Sequence, residues 1–99
     1  MIITRKQEGT TLEVALEGRL DGTTAPDLAE GLKDDLKEVT ELILDFSNLE
    51  YISSAGLRVL LSFHKIMNGK GTMKVVHPNE IVREVFEVTG FDDILNIEA

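Results

Sequence analysis

The residue types with most chemical potential lie in Leu49-Glu50-Tyr51-Ile52-Ser53-Ser54-Ala55-Gly56-Leu57-Arg58-Val59-Leu60-Leu61, where two serines and two very small residues stand between a loop and an apolar run. A serine at such a boundary has two uses. As an N-cap, its hydroxyl accepts a hydrogen bond from a backbone amide left orphaned at the helix start, stabilising by about 1 kcal/mol. As an exposed hydroxyl beside Ala55 and Gly56, with no bulk to block approach, it is open to a kinase. The two uses are compatible, and composition alone favours the cap.

Other chemistries fare worse. His64 and His77 fall on different elements and form neither HxH nor HExxH, so a metal site has no basis in spacing. They read as a half-buried helix residue and a turn residue. The glycines match neither the dinucleotide fingerprint nor the phosphate-binding P-loop, which gather backbone donors at a strand-to-helix turn. No GxSxG elbow holds a serine in the strained turn of a hydrolase nucleophile. Lys33, Asp34, Asp35, Lys37 and Glu38 are mixed charges on the outward face of a helix, where they solvate it. An acyl phosphate on Asp45 or Asp21, as in an aspartyl-phosphate receiver or an enzyme, is a rival that hydroxylamine lability would expose.

The serine segment needs a scaffold, and periodicity supplies one. Ile2 to Gln7 and Thr11 to Gly18 read as strands joined by a short gap at Gly9, the second alternating Leu12, Val14 and Leu16 against Glu13, Ala15 and Glu17. Residues 24 to 38 read as an amphipathic helix, capped by Thr23 or Thr24, with Pro26 and Asp27 in its first turn. Leu42 to Phe46 reads as a strand covered on both sides or central in a sheet, ending at a polar turn, Ser47-Asn48. Ser54 to Asn68 is apolar around most of its circumference and reads as a buried helix, stopped by Asn68-Gly69-Lys70-Gly71, where glycine can take the left-handed conformation that closes a helix. A fourth strand, Thr72 to Val76, precedes a helix that His77-Pro78-Asn79 opens and Thr89-Gly90 closes. The tail, Phe91 to Ile97, carries enough apolar residues to dock. Right-handed crossovers then predict one α/β domain over residues 1–99, with a small, mostly parallel sheet of about four strands, an antiparallel first strand, and three or more helices. Both crossover helices fall on one face if sheet order follows chain order.

Length and composition narrow the function. Ninety-nine residues, 42% hydrophobic and 28% charged, suffice for one core and not two. Ten basic against eighteen acidic residues, a net charge of −8, argue against docking on nucleic acid or anionic lipid. The absence of cysteine excludes disulfides, thiolate metal sites and thiol nucleophiles. No apolar run approaches the roughly 20 residues that span a bilayer, nor does one follow Arg5-Lys6 as in a secretory signal, so a cytoplasmic protein without membrane insertion is expected.

Leu44-Asp45-Phe46-Ser47 and Ile52-Ser53-Ser54-Ala55-Gly56-Leu57, preceded by Gly18-Arg19-Leu20-Asp21-Gly22-Thr23-Thr24-Ala25, resemble the STAS domain family of bacterial anti-sigma factor antagonists across the whole chain. That resemblance implies a phosphorylatable serine at Ser54, with Ser53 as the alternative. The family's usual aspartate just before the serine is Ser53 here, and its frequent second serine just after is Ala55. It further implies a partner switch. The unmodified protein binds an anti-sigma factor that is itself a serine kinase and frees the sigma factor; phosphorylation ends the binding, and a PP2C-like phosphatase resets it. The implied docking residues are Asp21, Gly22, Thr23, Thr24, Ser53, Ser54, Ala55, Gly56 and Arg58, with no catalytic residue, metal or cofactor. The rival within the family is an unphosphorylated assembly subunit, in a stressosome-like complex or beside a lipid-transport ATPase.

Overall fold

A computed structural model describes residues 1–99. Strands β1 (Ile2–Glu8) and β2 (Thr11–Leu20) form an antiparallel hairpin. Helix α1 (Ala25–Leu32), strand β3 (Glu41–Ile52), helix α2 (Ser54–Asn68), strand β4 (Thr72–Val76), helix α3 (Glu80–Thr89) and strand β5 (Asn96–Glu98) follow. The sheet order is β1-β2-β3-β4-β5, and every pairing after the first is parallel. The tail thus docks as a fifth strand, one beyond the four expected.

Because sheet order follows chain order and right-handed crossovers repeat, the helices gather on one face. Period-two alternation marks that face: Leu12, Val14, Leu16 and Leu20 of β2, Leu42, Leu44 and Phe46 of β3, and Met73 and Val75 of β4 are buried. Phe86 of α3 reaches the same layer, its ring 6.3 Å from that of Phe46. Twenty-three buried side chains form one apolar cluster that contains no polar or charged residue. The opposite sheet face carries Glu13, Glu17, Asp45 and Lys74, exposed or half-buried, so β3 is central in the sheet but not covered on both sides.

Four expectations about local structure are corrected. Ser47-Asn48 is a bulge and not a turn: β3 runs on to Ile52, pairing Asn48 with Glu17 and Leu49 with Gly18. The helix expected over residues 24–38 stops at Leu32 and resumes as a 3-10 turn, Asp35–Lys37. Cations from elsewhere take carbonyls at this break: Arg5 donates to Gly31 O at 2.8 Å and to the Asp35 carboxylate, and the Lys70 ammonium donates to Leu36 O. Helix α2 is amphipathic, burying Gly56, Leu57, Leu60, Phe63 and Met67 while Ile66 is 45% exposed. It ends at Gly69 with φ of −93°, and neither Gly69 nor Gly71 is left-handed, whereas Gly90 after α3 is, at φ 78°.

Candidate functional site

Parallel strands deliver all their following loops to one end of a sheet, and helices begin there with amide groups unpaired. At this end Leu20 of β2 lies beside Ile52 of β3, and the Ser53 amide donates to the Leu20 carbonyl at 2.9 Å. That bond joins the loop entering α1 to the loop entering α2. The two segments singled out in the sequence are therefore adjacent.

The first loop is a closed turn built on Asp21. Its Oδ1 accepts from the Thr23 hydroxyl at 2.8 Å, the Thr23 amide at 3.0 Å and the Thr24 amide at 3.3 Å. Thr24 caps α1 by position but not through a side-chain bond to the helix; its hydroxyl donates to Arg19 O at 2.8 Å and accepts from the Asp21 amide at 2.9 Å. On the outer side, Arg19 Nε approaches Asp21 Oδ2 at 3.9 Å while its guanidinium lies 4.6 Å over the Tyr51 ring. Arg19 and Tyr51 were not among the sequence candidates. They brace the turn from the strands, and only the pairing of Arg19 with Tyr51 reveals it.

These donors, the Thr23 hydroxyl first, hold the Asp21 carboxyl below its ordinary 3.8. The sign follows directly. A carboxyl whose folded pKa is depressed stabilises the turn above its unfolded pKa, and that contribution disappears as pH falls through the folded value. The loop therefore keeps its negative charge and its shape throughout the neutral range. In Thr23→Val the Asp21 titration, followed by carboxyl carbon NMR, moves up toward 3.8; an unmoved midpoint would remove Thr23 as the cause.

The second loop separates two serines by role. Ser53 is the N-cap of α2: its backbone is extended and its Oγ accepts from the Gly56 amide at 3.4 Å. Ser54 is the first helical residue, exposed, and its hydroxyl makes no hydrogen bond within the protein. Ser53→Ala is accordingly expected to cost about 0.5–1 kcal/mol, at the low end for a cap because the bond is long, and Ser54→Ala much less. Chemical denaturation of the two variants checks this, and equal losses would contradict the division.

Gly56 does not lie on the surface as expected. It is buried, and a Cβ there would stand 2.8 Å from both Ile52 Cγ1 and the Leu20 side chain. Its missing side chain lets α2 start close against the ends of β2 and β3. Ala55 is half-buried and Arg58 exposed. With Gly22, Ala25, Pro26 and Val59 they line a shallow trough between the starts of α1 and α2. His64 is half-buried on α2, and His77 is exposed in the connection between β4 and α3, at φ 57°. No helix is long and apolar enough to cross a membrane.

A family model described as STAS domain matches residues 1–99. The anti-sigma-B factor antagonist of Bacillus subtilis is 28% identical over 95 residues, covering 95% of this chain and 87% of that protein. The anti-sigma F factor antagonist of Paenibacillus polymyxa is 31% identical over 90 residues, covering 87% of this chain and 76% of that protein. Among solved structures, the unphosphorylated form of the anti-sigma factor antagonist SpoIIAA superposes with a TM-score of 0.86 at 20% identity, covering 99% of this chain and 89% of that one. The phosphorylated form of the Bacillus SpoIIAA gives 0.77 at 19% identity, covering 99% and 92%. At those identities the superpositions establish the shared fold.

Proposed function

The chain belongs to the STAS domain family, and we propose that within it this protein acts as an anti-sigma factor antagonist, a cytoplasmic binding module switched by phosphorylation of Ser54. Unmodified, it binds an anti-sigma factor serine kinase and so releases a sigma factor; phosphorylated, it lets go, and a PP2C-like phosphatase restores it. The observation that carries the choice of residue is the division of labour between the serines. Ser53 spends its hydroxyl on the cap, while Ser54 presents a free one at the outer edge of the same turn.

The physical effect of modification belongs to the surface and not to the fold. The kinase transfers the γ-phosphoryl group of ATP to Ser54 Oγ, releasing ADP and the hydroxyl proton. The product carries about −1.5 to −2 charge at pH 7 at a helix N-terminus, where the dipole and unpaired amides favour an anion. Helix α2 therefore tolerates the phosphate. A partner that docks over Asp21, Gly22, Thr23, Thr24, Ser54, Ala55 and Arg58 does not, since it meets added bulk, a dianion to desolvate and a second negative group beside the ionised Asp21.

Incubating the protein with an anti-sigma factor serine kinase from the same organism and ATP, then measuring intact mass and the modified peptide, tests this reading. The expected result is the gain of one phosphate on Ser54, stable to hydroxylamine. A gain on Ser53 moves the acceptor, a hydroxylamine-labile gain points to Asp21 or Asp45, and no gain favours an assembly subunit that is never phosphorylated.

A further inference from the structure

Ser54 and Arg58 stand four residues apart on α2, one turn along the same face. Helical side chains lean toward the helix N-terminus, a direction that puts the turn begun by Ser54 within reach of the Arg58 side chain. Both residues are exposed and neither is engaged. The Ser54 hydroxyl makes no hydrogen bond, and Arg58 takes part in none of the protein's ion pairs, although the chain holds eighteen acidic residues. The acid of the neighbouring loop is already committed: Asp21 Oδ1 accepts from Thr23 and Thr24, and its Oδ2 faces Arg19. A cation is thus left unsatisfied within one turn of the only free hydroxyl of the serine pair.

We propose that Arg58 is the intramolecular counter-ion of the Ser54 phosphate. The idea rests on Ser54 being the modified residue and adds a second arm to the switch. In the unmodified protein the guanidinium stands free at the trough between α1 and α2, where it pairs with a carboxylate of the bound partner. Once Ser54 is phosphorylated, two guanidinium N–H groups turn to the phosphate oxygens, the geometry that planar guanidinium donors favour. One modification then adds negative charge and withdraws a cation from the same docking surface. Arg58 acts here as a positioning and recognition residue, with no part in the transfer itself.

The test places phosphoserine at position 54 by genetic encoding and follows its second ionisation by phosphorus NMR. For a phosphoserine in water that ionisation lies at about 6. With Arg58 present it is expected below that, and in Arg58→Ala roughly half a unit higher than in the native background, the size of a charge-assisted pair one helical turn apart. Arg58→Lys falls between them, because an ammonium supplies the charge without the fork. Lys65→Ala, on the same helix but beyond the reach of the phosphate, leaves the titration where it was, and circular dichroism confirms that each variant is folded. Coincident titrations of the native and Arg58→Ala proteins would overturn the pairing. Since no kinase is used to install the phosphate, that failure is separate from a failure of Ser54 to be phosphorylated, which appears as an unchanged mass in the kinase assay.

Discussion

Ser54→Asp is expected to weaken binding of the anti-sigma factor kinase by at least ~100-fold while leaving the thermal midpoint almost unchanged. The two halves of that result have separate causes. An aspartate at the first position of α2 sits at the positive end of the helix dipole, a favourable contact of about 0.3–1 kcal/mol, so any shift of the midpoint is upward and no more than a few degrees. Against a docked partner the same carboxylate must be desolvated beside ionised Asp21, and an unfavourable charge in an interface costs several kcal/mol. Ser54→Ala keeps the small, uncharged surface and is expected to bind as the native protein does, and to remain bound in the presence of ATP. Isothermal titration with the purified kinase gives the affinities, and calorimetric unfolding gives the midpoints. A fall in stability of Ser54→Asp that matches its loss of binding would mean that the substitution disrupts the fold, and would sink the surface account.

The features behind that expectation were largely readable from local sequence. Capping and periodicity are short-range signals, so local sequence alone places α2 at Ser54–Asn68 with a serine cap, and the alternation of β2 sets Leu12, Val14 and Leu16 on one face. Long-range contacts were not readable. Leu28, Leu32, Leu36 and Val39 are all buried as their spacing suggested, yet the helix breaks between Leu32 and Leu36, where Arg5 and Lys70 bind Gly31 and Leu36 carbonyls from elsewhere in the fold. Ser47-Asn48 resembles a turn because its polarity ends an apolar run. It is carried through as a bulge because β2 continues alongside and Leu49 and Ile52 return to the buried face. The site shows the same division. Ser53 and Ser54 stand out by type and position and Asp21 through the family resemblance, whereas the brace of Arg19 on Tyr51 and the inward role of Gly56 depend on which strand lies beside which.

Two glycines on the side of the molecule away from Ser54 give the second large effect, and they separate stability from recognition. Gly71 is exposed and, in the sequence, only one of several helix-ending residues; nevertheless a Cβ there would lie 1.8 Å from Thr40 O and 2.6 Å from its carbonyl carbon. Thr40 has no freedom to retreat. Its amide donates to Thr10 O at 2.8 Å, its hydroxyl donates to that of Thr10 at 2.9 Å, and its carbonyl accepts the Thr72 amide at 2.8 Å, so these bonds set the register in which β2, β3 and β4 begin. Gly71→Ala must break some of them or displace the end of α2, at a cost of about 2–4 kcal/mol, which for a domain of this size lowers the midpoint by roughly 10–25 °C. Gly31, also exposed, has nothing within 4 Å of its would-be Cβ and lies in the last turn of α1, so Gly31→Ala is expected to stabilise by up to ~1 kcal/mol. The same added methyl group should thus move the midpoint in opposite directions at two surface glycines. Helix α2 spans 15 residues, about 22 Å, between Gly71 and the serine pair, so Gly71→Ala protein that is still folded at low temperature should bind the kinase with native affinity. An unchanged midpoint in Gly71→Ala would show that the end of α2 and the start of β4 yield more easily than the Thr10–Thr40–Thr72 bonds imply, and weakened binding by the folded variant would show that this end of the domain also shapes the recognition surface.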